Sequence, residues 1–125
     1  MKKIISIPGA PAPIGPYSQA VLKGDTLFVS GQIPLNPVSG ELETGSIEEA
    51  THRIMKNISA LVETAGLRME DIIKTSIFLK DMSDFATVNT VYASYFTKDF
   101  PARETVQVAK LPLDVPVEIS CIAIK

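Results

Sequence analysis

Prolines are unevenly spread along this chain of 125 residues, and their placement limits where long regular elements can form. The chain has nine prolines, and none of them lies between residues 38 and 100. Because proline lacks an amide hydrogen and fixes φ, the proline-free middle is where continuous helices and central strands can form. The proline-rich segment 8–16 is predicted to be extended and turn-rich, without strand hydrogen bonds of its own.

Short patterns in the first half of the chain predict a hairpin, a loop and a helix. Apolar, β-prone residues at 20–22 and 26–30 flank a turn sequence and predict two strands. Segment 33–45 contains two prolines and two glycines and is predicted to be a loop. A capping-box sequence at 46–49 precedes apolar residues at spacings of three and four, which predicts a helix that ends at Gly66.

The second half is predicted to contain a strand, a helix and two further strands. A strand is expected over 72–79, and Ser83 with Asp84 begins a second helix. The pattern then changes to a period of two, which predicts strands at 103–108 and 115–124. The order β-β-β-α-β-α-β-β indicates an α+β fold in which two helices cover one face of a mixed sheet of about six strands.

The predicted sheet leads to two expectations, one about how the last two strands pair and one about what covers the second face of the sheet. A turn near Pro112 suggests that the last two strands pair antiparallel, which would bring Arg103, Thr105 and Gln107 close to Glu118. The last strand is also apolar on both of its sides, although two helices can cover only one face. A second copy of the chain is the simplest cover for the other face, so we expect a homo-oligomer whose sheets pack together.

Composition limits the classes of protein to which the chain can belong. Hydrophobic residues make up 46% and charged residues 21%, which excludes disorder, and the length fits one domain spanning residues 1–125. The net charge is −2 and no basic stripe is present, so no nucleic-acid partner is expected. No apolar run is long enough for a signal peptide or a membrane span, which predicts a soluble cytoplasmic protein without a membrane partner.

The chain also lacks the residues of several common catalytic centres. Its one histidine, His52, lies off the apolar side of the first predicted helix and is expected to be exposed. A Ser-His-Asp triad therefore has no suitable histidine, and no zinc-ligand cluster or glycine-rich nucleotide sequence is present. The single cysteine, Cys121, is expected to pack in the core. We expect neither a metal nor a cofactor.

Glu118 and Arg103 are the two ionisable residues in unusual positions. A carboxylate in an apolar strand costs on the order of several kcal/mol if it is fully buried without partners. Two interpretations are open: a structural Arg103–Glu118 ion pair, or a pocket in which Arg103 anchors an anion and Glu118 is a base. Further candidate pocket residues are Tyr17, Ser18, Ser30, Gly31, Gln32 and Asn89. Ordinary turn chemistry, and solvent exposure for the asparagine, explain these residues equally well.

Several motifs together resemble one family across essentially the whole chain. They are Gly15-Pro16-Tyr17-Ser18-Gln19-Ala20, Ser30-Gly31-Gln32-Ile33-Pro34, Val88-Asn89-Thr90-Val91-Tyr92, Pro101-Ala102-Arg103 and Val117-Glu118-Ile119. In this order they are similar to the motifs of the RidA family, also called YjgF or the perchloric-acid-soluble protein family.

The resemblance implies a fold, an assembly and an activity. The fold is a chorismate-mutase-like α+β protomer, and the assembly is a homotrimer with clefts between subunits. The activity is hydrolysis of 2-enamino or 2-imino acids, typically 2-aminoacrylate and 2-iminobutanoate, to 2-oxo acids and ammonia without a cofactor. Such small carboxylate ligands would be the partners of the site.

The family's pattern also assigns roles to individual residues. Arg103 would hold the substrate carboxylate through two parallel hydrogen bonds, and Glu118 would activate water. Tyr17 would line the cleft from the neighbouring subunit, and the backbone at Gly31 would approach the substrate. Thr105 stands where many members have a cysteine, so a thiol-based role would be lost here while a small polar contribution from the hydroxyl remains.

Two other functions are also compatible with the sequence. Ribonuclease or translation-inhibitor activity has been ascribed to relatives, but the charge balance and the isolated His52 argue against it. The same pocket in a non-catalytic module would bind a small carboxylate without turnover.

Overall fold

The computed structural model describes all 125 residues, and the order of its elements is the predicted one. The elements are β1 (Lys3–Ile5), β2 (Ala20–Lys23), β3 (Thr26–Gln32), α1 (Ile47–Thr64), β4 (Ile72–Leu79), α2 (Phe85–Ala93), β5 (Ala102–Gln107) and β6 (Val117–Ile124). Short 3₁₀ turns precede β4, α2 and β6. The α+β class, with six strands and two helices, is therefore confirmed.

The first helix begins and ends where its capping residues predict. The Ser46 hydroxyl accepts a hydrogen bond from the Glu49 amide at 3.0 Å, and the Glu49 carboxylate accepts one from the Gly45 amide at 2.8 Å. Gly66, with φ of +83°, follows the last turn in the left-handed conformation that glycine adopts readily. The apolar side of α1 packs on the sheet, and its fully buried residues include Ala50, Ile54, Ile58 and Leu61.

The sheet order is β1-β2-β3-β6-β4-β5, which corrects one prediction. The last two strands of the chain do not pair. Instead β5 runs parallel to β4, and β6 runs antiparallel to both β3 and β4. Strand β4 therefore separates β5, which carries Arg103, from β6, which carries Glu118.

The polarity of the two strands explains this arrangement. In β6, four alternate residues are buried against the helices, so the strand gains most free energy in the centre of the sheet. Strand β5 has the sequence ARETVQ and no buried residue, which suits an edge. The turn near Pro112 exists, but it returns the chain to the far side of β4 and forms no hairpin.

One face of the sheet packs on the helices, and the other, here called the open face, has no cover within the chain. The core between the sheet and the helices contains Cys121, as predicted. Apolar residues on the open face include Ile4, Phe28, Phe78, Val106, Ile122 and Ile124. Neither helix is both long and apolar enough to cross a lipid bilayer.

Candidate functional site

Arg103 lies on the edge strand β5, and its side chain points toward helix α2. The guanidinium carbon is 5.2 Å from the ring centroid of Tyr92 and 5.6 Å from that of Phe85. Both distances suit cation–π attraction. None of the four ion pairs in the structure includes Arg103, so no carboxylate of its own chain neutralises its charge.

A cavity of about 290 Å³ opens beside this guanidinium. Its walls come from α2 and from the segment that leads into β5, and they are formed by Asn89, Tyr92, Ala93, Phe100, Pro101 and Arg103. The predicted site residues Asn89 and Arg103 therefore share one cavity. A cavity with one unpaired guanidinium, one amide and apolar walls suits a small molecule that carries a carboxylate.

Thr105 lies two residues after Arg103 and points to the same side of β5. Its hydroxyl oxygen is buried and has no hydrogen-bond partner. Buried polar atoms in folded proteins are usually hydrogen-bonded, so this orphan hydroxyl is a candidate ligand contact.

The Tyr92 ring is fixed from the core side. Its hydroxyl lies 2.8 Å from the Thr75 hydroxyl, and both residues are buried. Burial raises the pKa of Tyr92, while the Thr75 hydrogen bond and the Arg103 charge act in the opposite direction. Tyr92 is therefore a neutral, well-anchored wall of the cavity.

Glu118 points to the open face from the centre of the sheet. Its neighbours Val117 and Ile119 are fully buried on the helix side, and across the sheet it lies beside Phe78, which in turn pairs with Val106. Glu118 forms no ion pair, and burial raises the pKa of its carboxyl above the ordinary value. A carboxyl with a raised pKa is suited to accept a proton near neutral pH.

Gly31 lies directly against this carboxyl group. Ser30 and Gly31 form a bulge in β3 between the Val29–Cys121 and Gln32–Ile119 pairs. A Cβ atom at Gly31 would lie 2.7 Å from the carboxyl carbon of Glu118 and 3.1 Å from its Cγ. The absence of a side chain at Gly31 is therefore what lets Glu118 lie over the β3 backbone.

Ser30 links the bulge to the segment that contains Tyr17. The Ser30 hydroxyl donates to the Ser18 carbonyl at 2.6 Å, and the Ser30 amide donates to the Gln19 carbonyl at 2.9 Å. Tyr17 precedes this contact and is 56% exposed, so its ring is available to a partner surface.

The predicted site residues thus fall into two groups on opposite sides of one chain. The arginine half contains Arg103, Asn89 and Thr105, and the glutamate half contains Glu118, Gly31, Ser30 and Tyr17. The expected proximity of Arg103 to Glu118 within the chain is wrong, because β4 lies between their strands and the two side chains face opposite ways. A structural Arg103–Glu118 ion pair within one chain is excluded for the same reason.

Sequence reasoning missed the aromatic part of the arginine half. Apolar residues at helical spacing predict a second helix from Phe85 to Phe96, whereas α2 ends at Ala93. Tyr92 is buried, as this spacing predicts, but the contacts of the Phe85 and Tyr92 rings with Arg103 were not predicted. Their separation of seven residues, with Asn89 between them, places all three on one helix side, which was the available signal. His52 is exposed as predicted, with its Nδ1 atom 2.8 Å from the Tyr95 hydroxyl.

The sequence matches the family model described as Endoribonuclease L-PSP over residues 8–125. This chain belongs to that family. It is the RidA or YjgF family that the motifs resemble, and the YjgF gene product of Escherichia coli is among the similar solved structures. The RidA motifs at Gly31, Asn89, Arg103 and Glu118 supply residues to both halves described above.

Two curated RidA-family relatives match along their whole length. The RutC family protein of Pyrococcus horikoshii is 50% identical over 125 residues, which cover 100% of this chain and 99% of the relative. The 2-iminobutanoate/2-iminopropanoate deaminase of Escherichia coli K12 is 48% identical over 128 residues, covering 100% and 99%.

Solved structures give the same result for the fold. An endoribonuclease candidate from Thermotoga maritima superposes with a TM-score of 0.95 at 47% identity, covering 100% of this chain and 98% of the other. Escherichia coli TdcF, solved with bound serine, has a TM-score of 0.93 at 44% identity and 98% coverage of both chains.

Proposed function

We propose that this protein hydrolyses small 2-imino acids, and the 2-enamino acids that tautomerise to them, to 2-oxo acids and ammonia. The observation that carries the proposal is the unpaired Arg103 guanidinium beside a cavity of about 290 Å³. The deaminase name of a relative at 48% identity supports the same reaction.

Arg103 is proposed to bind the substrate carboxylate. A planar guanidinium presents two parallel N–H donors to a carboxylate, which fixes both position and orientation. The Asn89 amide lines the same cavity and is available for a remaining polar atom of a small substrate. The Thr105 hydroxyl is buried and has no partner within the chain, and it is proposed as a second polar contact once substrate is bound. The relative with bound serine has an amino acid, which also carries a carboxylate, as its ligand.

Glu118 is proposed to be the base that activates water. Water adds to the electrophilic carbon of the protonated imine while Glu118 accepts one proton from the water, which gives a neutral carbinolamine. Glu118 then returns this proton to the nitrogen. The C–N bond breaks and ammonia leaves, while the hydroxyl proton passes to Glu118 as the carbonyl forms. A positioned base of this kind contributes about 10²–10⁴-fold to the rate.

The two halves must come from different copies of the chain for this chemistry to occur. Arg103 lies at the β5 edge and Glu118 on the open face, whose exposed Ile4, Phe28 and Val106 favour contact with another sheet. We propose the homotrimer expected from the family, with each site formed by the arginine half of one subunit and the glutamate half of its neighbour.

The proposal is tested by measuring ammonia release from 2-aminoacrylate generated in the assay by a separate lyase. Arg103→Ala is expected to lose about 2–4 kcal/mol of transition-state stabilisation, as for the loss of a desolvated charge partner. Arg68→Ala is the matched control, because Arg68 is exposed and pairs with Glu70. Full activity of the Arg103→Ala variant contradicts the proposal.

The family description makes RNA cleavage the second candidate function. It requires a cationic groove and an acid–base pair, whereas the net charge is −2 and the Nδ1 atom of His52 is engaged by Tyr95. Cleavage of single-stranded RNA at physiological salt, lost in Arg103→Ala, would favour this function instead. Carboxylate binding without turnover would indicate a binding module.

A further inference from the structure

Arg103 has an unusual environment for a ligand-binding arginine. Its side chain is long and lies on an edge strand, so ordering it on ligand binding would cost conformational entropy. Arginines in binding sites are commonly held in place by a carboxylate, but no ion pair in this structure includes Arg103. Something else must orient the guanidinium.

The two aromatic rings of α2 are the contacts that remain. A ring face attracts a guanidinium without carrying a net negative charge, and it leaves N–H donors available for a ligand. Tyr92 is the closer of the two at 5.2 Å and is 4% exposed, whereas Phe85 at 5.6 Å is 37% exposed. Because attraction to a ring strengthens when water is excluded, Tyr92 contributes more.

Three contacts form a closed loop around Tyr92. Arg103 and Thr75 are register partners across β5 and β4. The Thr75 hydroxyl lies 2.8 Å from the Tyr92 hydroxyl, and the Tyr92 ring lies under the Arg103 guanidinium. The strand pairing that positions the Arg103 backbone therefore also fixes the ring that holds its side chain.

We propose that Tyr92, anchored by Thr75, is a positioning residue that orients the Arg103 guanidinium for a carboxylate without neutralising its charge. The inference rests on the proposed function, because it gives Arg103 a carboxylate ligand. It predicts that the ring of Tyr92, rather than its hydroxyl, is needed for affinity.

The first test measures inhibition by a 2-oxo acid, the product class, together with KM and kcat. Tyr92→Leu is expected to weaken inhibition and raise KM by about 3- to 30-fold, with a smaller change in kcat, since the loss is one cation–π contact. Tyr92→Phe in a Thr75→Val background keeps the ring and removes both hydroxyls, so affinity should stay within about threefold of wild type. Tyr95→Leu is the control, because Tyr95 contacts His52 instead of Arg103.

A second readout is independent of activity. In the wild-type protein, NMR signals of the Arg103 Cδ and Nε protons should be shifted upfield by the two rings, and Tyr92→Leu should remove most of this shift. Phe85→Leu changes a partly exposed residue and is the second variant if Tyr92→Leu fails to fold. It should reduce the upfield shift of the Arg103 protons, and the affinity for the 2-oxo acid, by less than Tyr92→Leu does.

The outcomes separate this inference from the proposed function. If Arg103→Ala leaves 2-oxo acid inhibition unchanged, the proposed carboxylate anchor is wrong. If Arg103→Ala weakens inhibition but folded Tyr92→Leu matches wild type, or if the wild-type Arg103 protons show no ring shift, only the positioning role is wrong.

Discussion

The arginine half and the glutamate half solve opposite electrostatic problems. Arg103 lies at an exposed edge, where the difficulty is to order a flexible cation, and two aromatic rings hold it. Glu118 lies in the middle of the sheet beside Phe78, with its carboxyl against Gly31, and burial raises its pKa. The Arg103 charge thus stays available for a ligand because no carboxylate of its own chain pairs with it, whereas Glu118 becomes more basic because it is partly removed from water.

The largest effects are expected from substitutions of Arg103 and Glu118, and combining them tests whether the arginine half and the glutamate half of one site come from two subunits. Arg103→Ala should lose about 30- to 1,000-fold in kcat/KM, and Glu118→Gln about 10²–10⁴-fold. When differently tagged versions of the two variants are co-expressed, purified mixed trimers should regain about a third of wild-type activity, since one of the three sites in each mixed trimer combines two intact halves. No recovery in purified mixed oligomers would show that both residues act from one chain.

The control for this experiment is a chain that carries both substitutions, co-expressed with either single variant. Such mixtures contain no site with both an intact Arg103 and an intact Glu118. They should therefore show only the residual activity of the single variants.

A second substitution addresses only the glutamate half. Gly31→Ala places a Cβ 2.7 Å from the Glu118 carboxyl carbon, so the carboxylate must move, and we expect a loss of about 10- to 100-fold in kcat. Overpacking should also lower stability by about 1–3 kcal/mol. In a Glu118→Ala background the same substitution should cost much less stability, measured by urea unfolding. Equal costs in both backgrounds would mean that the carboxylate is not the obstacle.

A smaller effect is expected at the arginine half from Thr105→Val. The Thr105 hydroxyl has no hydrogen-bond partner within the chain, so its removal should not lower the melting temperature. If the hydroxyl contacts substrate, KM should rise by about 2- to 10-fold, as for one hydrogen bond. Thr105→Ser is the matched control and should keep KM near wild type. An unchanged KM in both variants would remove Thr105 from the site.

The smallest expected effect is the pH dependence of stability. The folded-state pKa of Glu118 is raised, so the folded chain binds its proton more tightly than the unfolded chain does. The tighter proton binding stabilises the folded chain fully at pH values below the pKa of Glu118 in the unfolded chain. This stabilisation is lost as the pH rises through the pKa of Glu118 in the folded chain. The melting temperature of Glu118→Gln should therefore exceed that of wild type at pH 7, and the difference should shrink below about pH 4. A difference that does not depend on pH would contradict a raised pKa.

Local patterns in the sequence were enough to predict the elements. The Ser46–Glu49 capping pattern and Gly66 define α1 because caps satisfy backbone groups through residues a few positions away. Short-range patterns also predicted three other features correctly: regular elements in the proline-free middle, alternating burial in β6 and exposure of His52. These features depend on hydrogen bonds between residues close in sequence or on burial of one side of a single element.

Tertiary structure alone decided which side chains meet. The sequence order suggested that β5 and β6 pair, but the greater gain from burying β6 put it between β3 and β4 and left β5 at the edge. That choice separated Arg103 from Glu118, brought Gly31 against the carboxylate and placed the guanidinium over the ring of the buried Tyr92. Strand order depends on the relative burial of whole strands, which no local spacing in the chain records.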